Sequence, residues 1–150
     1  MNDRRLTPAN GRVAHVSLEG RVAAERYVAG EPARIAVALA DLLARPNGPR
    51  DRQVLMGERV TVLDRDAGFA FVQAEKDGYC GYLPEEALDG DRAATHWVAA
   101  PATHLYREPS LKTPEAAYLT MGARLTIVAG HPRFLETADG FFVPRPHLRA

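Results

Sequence analysis

The stretch MGERVTVL at residues 56–63 recurs as MGARLTIV at residues 121–128. In both copies polar and apolar side chains alternate after the glycine, and several of the apolar ones are β-branched. This alternation is typical of a strand with one face in a core and the other toward solvent. The stretch therefore predicts the same half-buried β-strand twice.

Other short blocks repeat around this strand in the same order. LLARP (42–46) corresponds to LYREP (105–109), FV (71–72) to FL (134–135), and YLP (82–84) to FVP (142–144). Four blocks in one order indicate two copies of one module, at about residues 33–90 and 91–150. Residues 1–32 match neither copy, and we expect them to form an extra strand pair or an amphipathic arm that packs on the first module.

Turn and breaker residues favour β structure throughout both copies. The pairs Asp77-Gly78 and Asp139-Gly140 are typical of tight hairpins. The one helix-friendly stretch, residues 34–45, ends at a proline, and its counterpart contains Pro101, which would break a helix interior. We therefore predict an all-β fold in which each module is a small barrel of about five short strands.

Composition places limits on the class of protein. The chain has 150 residues, 19 basic and 19 acidic side chains, one Cys, and 46% hydrophobic residues. These values argue against wholesale disorder, a duplex-binding protein, a disulfide framework and a zinc site built on paired thiolates. Because the sequence also has no long apolar run and a polar beginning, we expect a soluble cytoplasmic protein.

Charge is distributed unevenly along the chain. Residues 33–90 carry ten acidic and seven basic side chains, a balance of −3, whereas residues 91–150 have a balance of +2. A mildly acidic first module suits a ligand with a free amine better than a phosphate. Surface carboxylates also serve solvation alone, and both interpretations stay open at this point.

The sequence offers little of the chemistry that catalysis requires. Cys80 is the only thiol, and its place in a predicted strand favours a small buried hydrophobe over a nucleophile. The five histidines show no spacing typical of metal ligands, and Glu85-Glu86 fits a short polar turn. We therefore expect no catalytic residue, no metal and no cofactor.

A difference between the copies directs attention to one tyrosine. The first copy reads DGYCGYL at residues 77–83, and the second reads DGFFV at residues 139–143. If Tyr82 is a core residue, Tyr79 lies three positions away on the opposite face of the strand and points outward, where it could bind a ligand or simply pack on the surface. Trp97 and Tyr106 form a possible secondary surface, with packing between the modules as the alternative.

The ordered motifs L-x-x-x-P, M-G-E-x-V-x-V-L, F-x-F-V and D-G-Y-x-G-Y-L-P resemble those of bacterial SH3-like domains. Together with DRRLTPAN at residues 3–10, the tandem pair resembles the N-terminal region of NlpC-type cysteine peptidases of the bacterial dipeptidyl-peptidase VI group. The resemblance implies two small SH3-like barrels in tandem with an N-terminal arm, followed by a papain-like catalytic domain. In that family this domain cleaves the γ-D-glutamyl–diamino-acid bond of cell-wall peptides during muropeptide recycling.

The family's nucleophile motif G-x-D-C-S-G-L and its later histidine pair do not occur in the 150 residues. We therefore expect a non-catalytic region whose partners are its own missing C-terminal catalytic domain and a muropeptide, and neither nucleic acid nor a membrane. The resemblance implies that Tyr79 narrows the active site and selects substrates with a free N-terminal L-alanine, and we assign Asp77 of the same hairpin to substrate binding with it. The alternative is a free-standing SH3-like binding module for cell-wall peptide or a protein partner.

Overall fold

The computed structural model describes residues 3–150. Across that range it is all-β, with seventeen short strands and four single 3-10 turns. The chain divides into two compact units. The first contains residues 3–36, 40–54 and 58–91, and the second contains residues 37–39, 55–57 and 92–150. No helix within the described range is long and apolar enough to cross a membrane.

The strands of the first ninety residues are β1 (Val13–His15), β2 (Arg26–Val28), β3 (Glu31–Ile35), β4 (Leu39–Leu43), β5 (Arg50–Leu55), β6 (Arg59–Asp66), β7 (Phe69–Ala74), β8 (Cys80–Pro84) and β9 (Leu88–Gly90). The later strands are β10 (His96–Val98), β11 (Ala102–Tyr106), β12 (Glu115–Thr120), β13 (Arg124–Leu125), β14 (Ile127–Gly130), β15 (Phe134–Thr137), β16 (Phe142–Pro144) and β17 (Leu148–Arg149). The 3-10 turns are Arg4–Leu6, Val16–Leu18, Glu85–Ala87 and Arg145–His147.

The same strand order occurs twice. The first copy is a seven-stranded sheet in the order β5-β4-β8-β7-β6-β3-β9. The second has two sheets, β12-β11-β16-β15-β14 and β13-β10-β17. Since β13 and β14 are separated only by Thr126, they correspond to the single strand β6. Both copies are SH3-like barrels, which confirms the predicted fold class.

Both copies also have a β-bulge at the same point of the repeated strand. The register between β6 and β7 shifts between Val62 and Asp64, and the register between β14 and β15 shifts between Ile127 and Ala129. A bulge of this kind bends a strand and increases its twist, which a small barrel needs in order to close. Because the two bulges fall at equivalent points of the repeated stretch, this motif fixes the curvature of each barrel.

Each barrel encloses a core of aliphatic side chains from its alternating strands. The fully buried residues of the first unit include Ile35, Leu42, Val54, Val72 and Leu83. The second unit has its own cluster, which includes Val98, Leu105, Leu119, Val143 and Leu148. Burial of such side chains contributes roughly 1.5–3 kcal/mol each, so these few residues supply much of the driving force for folding.

The segment before the first barrel forms a pair of short parallel strands, β1 and β2. Of the two forms left open by the sequence, it adopts the strand pair. Val13 is completely buried and packs in one cluster with Leu63, Phe71 and Cys80 of the first unit. The boundary at residue 32 stays a prediction, since the contacts show only that this segment and the strands β6 to β8 share a core.

A buried carboxylate holds the strand pair against β6. The side chain of Asp64 is only 3% exposed, and it forms ion pairs with Arg12 at 3.1 Å and with Arg26 at 2.9 Å. Arg12 also reaches the exposed Asp66 at 3.1 Å. A buried carboxylate depends on its partners much more than an exposed one does. Asp64 is therefore the main polar attachment of β1 and β2.

We expect Asp64→Asn to lower the free energy of opening of the β1–β2 segment by about 1–3 kcal/mol, because it removes two ion pairs from a buried acceptor whose arginine partners can still reach water. Amide hydrogen exchange at Val13 and Arg26 measures this opening. The matched control Asp66→Asn, which removes one exposed pair, should change it by less than about 0.5 kcal/mol. Equal losses in the two variants would contradict the special role of Asp64.

Candidate functional site

The turn between β7 and β8 gives Tyr79 a fixed backbone position. Gly78 has φ of +78°, a conformation that favours glycine and that the Asp-Gly pair predicts. The N–H of Ala74 donates to the carbonyl of Tyr79 at 2.8 Å, and the N–H of Tyr79 donates to the Asp77 carboxylate at 3.1 Å. The side chain of Asp77 therefore closes the turn that carries Tyr79.

The ring of Tyr79 is half-buried rather than fully exposed, because two guanidinium groups lie near it. The Arg52 guanidinium carbon lies 5.2 Å from the ring centroid, and that of Arg5 lies 6.0 Å away. Both distances are within the range of cation–π attraction, which stabilises an exposed pair by roughly 0.5–1 kcal/mol. Arg52 also forms an ion pair with Asp77, so a single arginine contacts both predicted site residues.

The 3-10 turn at Arg4–Leu6 is attached to the same region by charge. Arg4 pairs with Asp51 of β5 at 2.8 Å, which raises the pKa of Arg4. Asp3 caps the turn by accepting from the backbone N–H of Arg5 at 2.9 Å. The Arg5 side chain also donates to Asp3, and this bond lowers the pKa of that carboxyl group. These contacts place the Arg5 side chain beside Tyr79.

Arg5, Arg52, Asp77 and Tyr79 form one group of contacting side chains, the Tyr79 cluster. This cluster can bind a further polar partner. A carboxylate offers about four acceptor positions. Asp77 uses one on the Tyr79 N–H and another on Arg52, and its side chain stays 28% exposed. The Tyr79 hydroxyl has no hydrogen-bond partner among residues 3–150. A ring edge, a free hydroxyl and a partly exposed carboxylate together can bind a small apolar group next to an amine.

The first barrel is similar to a known family of domains. Residues 42–88, which include β7, β8 and Tyr79, match the family described as the bacterial dipeptidyl-peptidase SH3 domain. The predicted resemblance is thereby confirmed for the first SH3 domain.

Solved structures give the fold relationship. The crystal structure of an NlpC/P60 family protein from Bacillus cereus matches with a TM-score of 0.62 and 18% identity, over 79% of this chain and 56% of that chain. NlpC2 and NlpC1 from Trichomonas vaginalis match with TM-scores of 0.36 and 0.37 at 16% identity, over 83% of this chain and 49% and 47% of theirs. No curated protein matches the chain. The chain thus spans little more than half of the Bacillus protein.

Tyr82 of the first SH3 domain marks the inner side of the same hairpin. It is half-buried, packs on the cluster that contains Cys80, and has its ring centroid 5.0 Å from that of Phe71. Its hydroxyl accepts from the side-chain amide of Asn10 at 3.1 Å. Tyr79 is not part of this apolar cluster. Tyr82 therefore packs toward the core, whereas the Tyr79 ring lies beside charged side chains.

The two aromatic residues predicted as a secondary surface do not form one. Trp97 on β10 is 42% exposed, whereas Tyr106 on β11 is only 7% exposed. The Tyr106 ring packs edge-on against Phe134 with centroids 6.0 Å apart. Tyr106 is therefore a core residue of the second barrel, because a register shift between Leu105 and Tyr106 leaves both of these successive side chains buried. Of these two residues, only Trp97 is exposed to solvent.

Groups with chemical reactivity lie outside any catalytic arrangement in the described chain. Cys80 is 1% exposed, and its thiol contacts the carbonyl of Gly78 at 3.5 Å. Burial raises the pKa of this thiol to about 11, as expected of a structural rather than a nucleophilic cysteine. No group of three or more His, Cys, Asp or Glu within residues 3–150 is arranged to hold a metal ion.

Sequence reasoning missed the two arginines beside Tyr79. Arg5 lies in the DRRLTPAN stretch that carries part of the resemblance, so its position was a usable signal. Arg52 had none, since it is one of 17 arginines among 19 basic residues. Only the tertiary structure reveals that the Arg52 side chain contacts both Asp77 and Tyr79.

The raised pKa of Cys80 predicts how stability changes in alkali. The pKa is about 11 in the folded chain and 9.0 in the reference state, so the unfolded thiol ionises first. Stability is therefore complete below pH 9 and falls as the pH rises toward 11, by up to about 2–3 kcal/mol.

Urea unfolding at several pH values, compared with Cys80→Ala, isolates this contribution. The difference in unfolding free energy between the two chains should shrink above pH 9. A constant difference from pH 7 to 11 would show that the thiol is not desolvated.

Proposed function

We propose that the chain is the non-catalytic SH3-like region of a cell-wall peptide cysteine endopeptidase that acts on cytoplasmic muropeptides. The catalytic domain of the same protein is its partner, and the substrate carries a free N-terminal L-alanine. The match of residues 42–88 to the bacterial dipeptidyl-peptidase SH3 domain supports the association with such a peptidase. The likeness to the NlpC/P60 protein supports the fold.

The observation that carries the gating role is the Tyr79 cluster. The ring is held by a closed turn and by Arg52, so it can act as a rigid wall rather than as a mobile side chain. Its free edge offers apolar contact to the methyl group of an N-terminal alanine. Asp77 lies two residues away with unused acceptor positions for the α-ammonium group.

Charge and size together explain the expected selectivity. An α-amine is attracted by a carboxylate, whereas an N-acylated peptide loses the positive charge and adds bulk where the ring stands. The net charge of −3 over residues 33–90 also favours the binding of a cationic group. A longer peptide extended at its N-terminus would meet the Tyr79 wall and is excluded.

The test uses the complete peptidase that contains this chain, with L-Ala-γ-D-Glu-L-Lys and its N-acetyl form as substrates. Tyr79→Ala should raise kcat/KM for the acetylated peptide relative to the free one about tenfold, because the wall is removed. Tyr118→Ala, which truncates an exposed tyrosine of the second barrel, is the matched control and should leave the ratio unchanged. Unaltered discrimination in Tyr79→Ala, in a folded enzyme, would refute the gating role.

A free-standing binding module is the second candidate function. Six of the eight large hydrophobic residues that are strongly exposed in the described chain belong to the second unit, including Trp97, Leu111 and Met121. Exposed apolar side chains of this number suit a protein or peptide partner. Self-association of the chain in sedimentation experiments, abolished by Trp97→Ser, would favour this function over the first.

A further inference from the structure

The second barrel has a groove of about 640 Å³, a size typical of ligand sites. Three segments line it: the β11–β12 loop (107–114), the β14–β15 loop (131–133) and residues 144–146 at the end of β16. It lies wholly within the second unit and is independent of the Tyr79 cluster.

The groove is apolar at its centre. Phe134, which is 6% exposed, and four prolines (Pro109, Pro132, Pro144 and Pro146) contribute to its lining. Proline has no backbone N–H, so these walls carry few donors and present flat rings. Leu111 stands at the edge and is 69% exposed, the highest value among the large hydrophobics described.

Hydrogen bonds hold the loop that carries Leu111. The Ser110 N–H donates to the carbonyl of Glu108 at 2.7 Å, and the Ser110 hydroxyl accepts from the Lys112 N–H at 3.1 Å. The Thr113 hydroxyl donates to the carbonyl of Ser110 at 2.9 Å. These bonds fix the conformation of the loop, in which the Leu111 side chain is exposed at the edge of the groove and available for contact with a partner.

All the charged residues that line the groove are basic. They are Lys112, Arg133 and Arg145, and no acidic residue lines it. Arg145 donates from Nε to the carbonyl of His131, which fixes its guanidinium at the loop and leaves other donors available. Lys112 and Arg133 form no ion pair with any residue from 3 to 150. The apolar centre is thus bordered by unneutralised positive charge.

We infer that this groove binds an extended acidic peptide segment. An aliphatic or proline side chain of the peptide packs on Phe134 and the prolines, and carboxylates before and after it pair with Lys112, Arg133 and Arg145. An extended peptide suits the site because a proline-lined groove selects by shape and by flanking charge rather than by backbone donors.

The corresponding loop of the first barrel shows that the groove belongs to the second copy. That loop spans residues 44–49, two residues fewer than the loop at 107–114, and reads ARPNGP. It has no aliphatic residue larger than alanine and no lysine. Since the barrels share their strand order, the additional residues have altered a surface and not the fold.

The experiment titrates the ¹⁵N-labelled chain with the synthetic peptide acetyl-Glu-Pro-Leu-Pro-Glu-amide and follows backbone amide shifts. We expect the largest shifts at residues 110–113 and 133–134, with a dissociation constant of about 1 mM or lower at low salt and weaker binding at high salt. The Lys-Pro-Leu-Pro-Lys and Glu-Gly-Ser-Gly-Glu analogues should bind at least tenfold more weakly.

Variants separate the groove from general charge effects. Lys112→Glu with Arg133→Glu should weaken binding at least tenfold, and Leu111→Ser about threefold to fivefold. The matched control, Lys76→Glu with Arg21→Glu, makes the same charge change at exposed residues of the first unit and should change binding less than twofold. Shifts confined to other residues, equal losses in the control, or equal binding of a thymidine oligonucleotide of the same charge would overturn the inference.

Discussion

Pairing of the first and last strands of each barrel is the constraint on which the rest of the structure depends. β3 pairs with β9, and β10 pairs with β17, both antiparallel. These pairings join the first and last strands of each copy, so that the short strands between them can curve around one core. Closure requires sharp curvature, which the bulges in β6 and β14 provide.

Closure also determines which parts of the chain are free to vary. The inner strands of each sheet pair with neighbours on both sides, so the connections between strands can change with the least effect on a barrel. The first copy has five residues between β7 and β8, against four in the second, and there it places Tyr79. The second copy has the longer β11–β12 loop, and there it places Leu111 and Lys112. One fold thus carries two different surfaces.

Much of the fold could be predicted from the sequence because the chain repeats itself. The alternation in MGERVTVL and MGARLTIV, the Asp-Gly turns and the buried Cys80 are local signals, and each agrees with the structure. The inward position of Tyr106 was missed because an aromatic residue beside a loop has the same pattern whether it faces the core or solvent. The burial of Tyr106 depends on its contact with Phe134, 28 positions away, and no local signal in the sequence links the two residues.

The polar contacts were the part of the structure that the sequence predicted least, for a reason that applies to arginine side chains in general. Arg12 and Arg26 meet at Asp64, and Arg5 and Arg52 meet at Tyr79, through pairs that lie far apart in sequence. A long arginine side chain reaches many acceptors, so its partner is decided by tertiary packing rather than by its own neighbours. The same flexibility makes arginine suitable for attaching a strand pair to a barrel and for holding an aromatic ring, since neither task requires the backbone of the barrel to change.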